Sequence, residues 1–526
     1  MPFFKSKAFL ITSIILVAGG ITWLLFNLFS HSSDAHLKLI PKNAAAVLKI
    51  DIKNLALKAD AMKLMQNPVF KNVPATGTSS IRKLISDPFS TGIDPLENVY
   101  AFLAKENEAT ISAIVFKVDD ESDLEKFERG LGIGGQLEVE EGIYYSEIDE
   151  NRCIAWDGDA GIIMAVHGGD KKVLAKKFLD QDKKESILAS ADYKTFTAKT
   201  FDIGLFLDNK MLSKMSGTAS ALSSFGFNDG HGELLLNFEN DKISTIYTNY
   251  PETKSTASIL RKTGPGANRF DAIAPQAPLL YLGISTDVNA LFDAAASDPS
   301  MKGNLAAMQM YLGMNDADLR KLFTGDVSIA FTDYKDIASY DPRVGANVDQ
   351  LLKQMNGTPD DRAEFALNTP MAYINVGVTD DEKINSLLTE LGLQKMGDFY
   401  AMPGINFIVY CVSRNGHLII TNDYYAAETF AKDGKFSAHL PSAISKTNPF
   451  SIWADLEQAH FPVALTESMK DTYDEATVNF FLELIKPFQS VKVENKGEGS
   501  QLDISIAPGE GNSLYRLVTY YGSLAK

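Results

Sequence analysis

The chain has 526 residues, 45% of them hydrophobic and 22% charged, and a formal net charge of −17. That composition is ordinary for globular domains, and the length exceeds what one hydrophobic core supports, so two or more domains are expected. The negative field repels phosphate backbones and argues against nucleic acid as a partner. Only Cys153 and Cys411 are present, which excludes a disulfide scaffold and leaves either one bridge or two buried free thiols.

The first element is an uncharged apolar run, AFLITSIILVAGGITWLLFNLF, at residues 8–29. At 1.5 Å per residue, about 22 residues reach across a ~30 Å hydrocarbon core. The run is longer than a signal-peptide core, and Ser30-His31-Ser32 is a poor cleavage site, so an uncleaved transmembrane anchor is expected. Lys5 and Lys7 favour holding residues 1–7 on the cytoplasmic side. The expected location is the cytoplasmic (inner) membrane, single-pass, with the bulk of the chain in the periplasm or outside. Residues 30–39 read as a spacer.

From Ile40 the pattern is a strand, AAAVLKIDI, then a helix from about Leu55. NVYAFL (98–103) follows Gly92 and reads as a strand. ISAIVFKVDDESDLEKFERGLG (111–132) is a strand running into an acid-capped amphipathic helix. GIYYSEIDENRCIAWDGDAGIIMAV then reads as three strands, with Asp157-Gly158 as the tight turn, and a helix at about 170–179. GELLLNFENDKISTIYTNY (232–250) is a hairpin, followed by a helix at about 252–262.

The same order returns after a Gly/Pro-rich joint. APLLYLGIS is a strand with a helix after Asp287, and DVSIAF (326–331) follows Gly325. MAYINVGVTDDEKINSLLTELG (371–392) aligns without gaps to 111–132. A second set of three strands turns at Asn415-Gly416, with a helix at about 423–432. SVKVENKGEGSQLDISIAP (490–508) is a hairpin before a helix at about 513–523. The chain therefore reads as an α+β protein: a transmembrane helix, then two tandem degenerate repeats at 40–263 and 264–526. Alternation within LYLGIS and LDISI predicts mainly antiparallel sheets, one face solvated and helices on the other.

Motifs that could carry chemistry have simpler local readings. Gly130, Gly132 and Gly135 fit G-x-G-x-x-G but follow a helix, the reverse of a dinucleotide site. Ser80-Ile-Arg-Lys83 and Lys262-Thr263-Gly264 fit two elements of a serine acyl-transfer site, but the middle element is missing. Asp119, Asp120, Glu121 and Asp123, echoed by Asp380, Asp381 and Glu382, read as helix-capping acids before metal ligands. Asp157-Gly-Asp159 is too short for an EF-hand loop. None of His31, His36, His167, His231, His417, His439 and His460 has zinc-site spacing. Met62, Met65, Met301, Met308, Met310 and Met314 read as core fillers on helices. No catalytic, cofactor-binding or metal residue is assigned from sequence, and no cofactor is expected.

The segments SDPFSTGIDPLENVYAFL (86–103), IPKNAAAVLKIDIKNLALKA (40–59) and GELLLNFENDKI (232–243) resemble a Bacteroidetes-type family of cell-envelope proteins. That family is catalogued only as a domain of unknown function. Its pattern matches Ile40 to Leu55, Thr91-Gly92-Ile93-Asp94 to Phe102, and Gly325-Asp326-Val327 to Ala330. The resemblance implies an envelope location and carries over no catalytic residue. Family members often begin with a lipoprotein cysteine, which this chain lacks before Cys153, so the anchor would replace the lipid tether. The expected function is a membrane-tethered, non-enzymatic binding or interaction module for an envelope protein or ligand. An envelope hydrolase and an apolar-ligand carrier are the alternatives.

Overall fold

Strands with alternating buried and half-buried residues set the architecture, as in VYAFLAKE (99–106) and LYLGIS (280–285). The structure is a computed structural model. It describes residues 34–60, 88–95, 97–131, 136–215, 230–250, 274–297, 299–354, 368–403, 408–436, 441–444, 448–496 and 499–524. The fold is α+β, with extensive antiparallel sheet and many helices. The expected anchor at 8–29 lies outside the described residues, and among these no helix is long and apolar enough to cross a membrane. The chain divides into two compact units, Met1–Lys254 with Ile506–Lys526, and Ser255–Ser505.

In the first unit the strands are β1 (Ala46–Ile50), β2 (Val99–Glu106), β3 (Ala109–Lys117), β4 (Glu138–Glu140), β5 (Ile143–Glu147), β6 (Arg152–Trp156), β7 (Ala160–His167), β8 (Ile203–Asp208), β9 (His231–Phe238) and β10 (Lys242–Tyr250). Each pairs antiparallel with its neighbours in the order β4-β5-β6-β7-β3-β2-β1-β8-β9-β10. Phe178 of the helix Lys171–Asp180 meets Phe102 and Phe196 of the helix Ala191–Thr197 meets Phe206, in one core with Tyr100, Ile111 and Ile162 of the sheet.

The helix Ser513–Leu524, which the sequence reading carries with the second repeat, lies in this first unit. Leu514 and Val518 cover Leu55 and Ala59, and Asn512 Nδ2 donates to the Phe238 carbonyl at 3.0 Å. Asp202, fully buried, accepts from Asn54 Nδ2 at 2.5 Å, Lys58 Nζ at 2.8 Å and the Phe238 amide at 2.6 Å. It ties the helix Ile52–Lys58 to the sheet.

The second unit contains β11 (Leu280–Ser285), β12 (Phe323–Asp336), β13 (Asn368–Val378), β14 (Gln394–Met396), β15 (Phe399–Pro403), β16 (Ile408–Arg414), β17 (His417–Thr421), β18 (Phe450–Asp455), β19 (Phe488–Lys496) and β20 (Gly499–Ile506). Its order is β14-β15-β16-β17-β13-β12-β11-β18-β19-β20. Tyr281, Tyr373, Tyr410, Phe430 and Trp453 centre its core.

The acidic clusters act as helix caps. Asp120 Oδ1 accepts the Asp123 amide at 2.9 Å, and Asp380 Oδ1 accepts the Lys383 amide at 2.9 Å. Such a cap contributes about 1 kcal/mol. Gly92 and Gly325 have φ of +77° and +87°, and a Cβ on either would lie 2.2 Å from a backbone oxygen. Only glycine fits there.

The core-filler reading of the methionines is corrected in part. Met314 is buried, but Met301 and Met310 are 45% and 83% exposed. The helix Pro299–Leu312 is apolar around much of its circumference, so packing one side leaves other apolar residues in solvent. Met62 and Met65 lie outside the described residues. Cys153 and Cys411 are both buried free thiols.

Candidate functional site

Sheet register in the first unit brings Asp208, His231 and Tyr250 side by side. Asp208 opposes His231, and His231 opposes Tyr250, so all three project from one face at the same end of β8, β9 and β10. Two residues along, Phe206 opposes Glu233 on that same face. The His231 ring is stacked on Tyr250, with centroids 4.6 Å apart at 18°, and on Phe206 at 5.2 Å and 27°.

Charged groups surround this stack. Glu233 is 1% exposed and forms an ion pair with Lys199, whose Nζ also donates to the Tyr250 hydroxyl at 2.9 Å. Burial alone would lower the Lys199 pKa, but the bonds to Glu233 and Tyr250 outweigh it and hold the ammonium above its ordinary value. Glu233 Oε1 makes no hydrogen bond among the described residues, and His231 Nε2 lies 3.8 Å from it. On the other ring nitrogen, His231 Nδ1 lies 3.8 Å from Asp192 Oδ2. The imidazole thus sits between two carboxylates, one buried and one largely in solvent.

A cavity of about 220 Å³ opens beside His231. The loop before β1 contributes Lys42 and Ala44, and the segment around Ser190 contributes Ile187, Ser190 and Asp192. Phe206, Asp208, Lys210, Gly230 and Tyr250 complete it. The Ser190 Oγ caps its helix by accepting the Tyr193 amide at 3.2 Å, which fixes Asp192 in the first turn. Asp208 Oδ1 likewise accepts the Met211 amide at 2.9 Å. Lys42 has no ion-pair partner among the described residues and is exposed. A cavity of about 150 Å³ holds benzene, so this one has room for a ligand somewhat larger than a six-membered ring. Its lining offers ammonium donors, carboxylate acceptors and an aromatic edge, a set that suits a small polar ligand.

The motifs singled out from sequence lie elsewhere. Gly130 lies in the last turn of the helix Glu121–Leu131, while Gly132, Gly135, Ser80, Lys83 and Lys262-Thr263-Gly264 fall outside the described residues. Asp157 Oδ1 accepts the amides of Asp159 and Ala160, as a hairpin turn requires. His36 is buried with Nε2 2.8 Å from the Asn98 carbonyl oxygen, and His417 Nδ1 lies 3.2 Å from Asn375 Oδ1. His460 pairs with Asp455 at 2.8 Å, which raises its pKa. Among the described residues no group of three or more His, Cys, Asp or Glu side chains gathers as a metal site. His231 carried no signal from spacing; the available one was its position two residues from Glu233 on an alternating strand.

Comparison with known proteins adds little about the site. No curated protein matches the chain. Among solved structures, crystal forms III, IV and I of TP0453 are similar at 12, 11 and 12% identity. They cover 43, 40 and 44% of this chain and 83, 79 and 83% of theirs. The TM-scores of 0.27, 0.27 and 0.26 are too low to carry an argument. Residues 37–339, more than half of the chain, match the family described as "Domain of unknown function (DUF4836)", and the chain belongs to that family.

Proposed function

We propose that this protein is a membrane-tethered, extracytoplasmic binding module whose first unit holds a small polar ligand beside His231. The observation that carries the reading is the cavity: Lys42, Asp192, Asp208, Lys210 and His231 line it, with Tyr250 as an aromatic wall. Such a lining favours a polar ligand over the apolar-carrier alternative, because burying charged groups against hydrocarbon is costly. The tether is the uncharged run at 8–29, with residues 1–7 inside and the remainder in the periplasm or outside.

The chain is read as two degenerate copies, 40–263 and 264–526, whose sheets fall one in each unit. Support comes from three directions. The gapless pair 111–132 and 371–392 falls on β3 and β13 with the helices that follow. The strand orders of the units correspond position by position. Gly92 and Gly325 adopt the same left-handed conformation ahead of β2 and within β12.

Two measurements on the full chain test this. Protease added outside spheroplasts should remove both units and leave a short membrane-bound fragment; a mature protein starting near Ser32 would remove the tether. Native mass spectrometry of the protein released from membranes in detergent should show one small polar adduct. His231→Ala and Lys42→Ala should lose it. A bare wild-type mass would sink the ligand.

A further inference from the structure

The second unit carries a different arrangement, centred on Tyr425. This residue is 45% exposed, and its hydroxyl makes no hydrogen bond among the described residues. On one side its ring meets Tyr340 edge to face, at 5.3 Å and 73°. On the other it meets Tyr424, at 5.2 Å and 72°. Each flanking tyrosine bears a cation on its ring: Lys335 Nζ lies 4.0 Å from the Tyr340 centroid, and the Arg343 guanidinium carbon 4.2 Å from that of Tyr424. The row is therefore cation, ring, exposed ring, ring, cation.

The row is held rigidly from below. Asp423, 3% exposed, accepts from the Tyr340 hydroxyl at 3.0 Å, the Tyr373 hydroxyl at 2.7 Å and the Ala426 amide at 3.0 Å. Asp341, fully buried, accepts from the Tyr410 hydroxyl at 2.5 Å and the Arg343 amide at 2.9 Å. Tyr410 in turn lies 5.6 Å from Tyr424. Asp423 and Asp341 spend their hydrogen bonds on tyrosines and backbone. The Arg343 guanidinium forms no ion pair with a carboxylate among the described residues; its Nη1 lies 3.6 Å from the Met396 sulfur, and the group also faces the Tyr410 hydroxyl. Lys335 has Asp333 at 3.8 Å, a loose contact.

A guanidinium fixed on a tyrosine, with five N–H donors and no carboxylate paired to them among the described residues, is a prepared anion site. Tyr425 is 45% exposed, and the face of an aromatic ring carries the negative side of its quadrupole, which attracts C–H groups of a partner ring. Rings held in place before binding lose little entropy when a ligand arrives. One chemical class answers all three features: a sugar ring, with a C–H face and a polar rim, bearing an acid group. The net charge of −17 repels a long polyanion or a nucleic acid strand, which limits the ligand to few charges.

We propose that the Tyr340–Tyr425–Tyr424 row is a binding site for a short oligosaccharide with one to a few carboxylates, one sugar ring lying on Tyr425 and an acid group on Arg343. This site is independent of the His231 cavity, and either reading stands without the other.

The test uses full-length protein in a detergent without a sugar headgroup, titrated with trigalacturonate and with maltotriose. Trigalacturonate should bind saturably, about tenfold or more tighter than maltotriose. Tyr425→Ala and Arg343→Gln should each weaken it about tenfold, whereas Lys432→Ala, an exposed charge off the row, should leave it unchanged. Tyr425 is exposed, so its variant should fold, as near-UV circular dichroism will verify. Failure of wild type to bind trigalacturonate, equal binding by both variants, or equal affinity for maltotriose would overturn the proposal. Saturable binding of a decaproline peptide without saccharide binding would also overturn it and place a proline-rich segment there.

Discussion

His231 lies almost parallel to Tyr250, ring on ring at 4.6 Å, because the two residues are opposite partners across β9 and β10. The stack is braced from behind by Lys199, which joins the Tyr250 hydroxyl to the buried Glu233 carboxylate. Lys199→Met would leave Glu233 buried with no ammonium. The expected cost is about 2–3 kcal/mol, below the range for a fully buried pair because Lys199 touches solvent. Urea unfolding measures it, and Glu233→Gln combined with Lys199→Met should recover much of the loss.

Alkaline stability follows from buried acids that must stay protonated. Burial pushes the Cys153 thiol up to about 12 and Cys411 to about 11, and it pushes the Tyr247 and Tyr521 hydroxyls to about 12. Folded values above unfolded ones mean this stability is complete below about pH 9 and is lost as pH rises toward 11–12. The urea midpoint should therefore fall between about pH 8 and about pH 11. Both thiols should resist a thiol reagent at neutral pH until denaturant is added.

Gly92→Ala and Gly325→Ala should each destabilise by about 2 kcal/mol or more, since the added Cβ meets backbone and the φ is left-handed. Thermal unfolding of the two variants checks this; a neutral result at either would remove the shared constraint on these turns.

Asp423→Ala removes a helix cap and takes the carboxylate acceptor from the Tyr340 and Tyr373 hydroxyls. The expected loss is about 3 kcal/mol, from about 1 for the cap and the rest from the buried hydroxyl. Asp423→Asn should cost less, because its amide oxygen still accepts.

Local chemistry was legible in the sequence where neighbours decide the outcome. Asp120 and Asp380 read as caps and are caps; Asp157-Gly158 and Asn415-Gly416 read as turns and join β6 to β7 and β16 to β17. Helices expected near 170–179 and 423–432 lie at Lys171–Asp180 and Tyr424–Asp433. What escaped depends on strand order. The His231 cavity draws on Lys42, Asp192, Asp208 and Tyr250, from separate stretches of chain that meet only because β1, β8, β9 and β10 are adjacent. The Tyr425 row likewise needs β12, the helix Pro342–Gln354 and the helix Tyr424–Asp433 placed together. The terminal helix packs Leu514 and Val518 against Leu55, a long-range contact that no local pattern in the sequence marks.

The most direct test of the proposed ligand-binding role is thermal unfolding of the full-length protein with size-fractionated, low-molecular-mass extract of its own cells. A ligand at one hundred times its dissociation constant stabilises by about 2.7 kcal/mol, which moves the transition by a readable amount. Wild type should unfold at a higher temperature in at least one fraction, and His231→Ala should show no shift in that fraction. No shift of the wild type in any fraction, or the same shift in His231→Ala, would contradict a ligand site at His231.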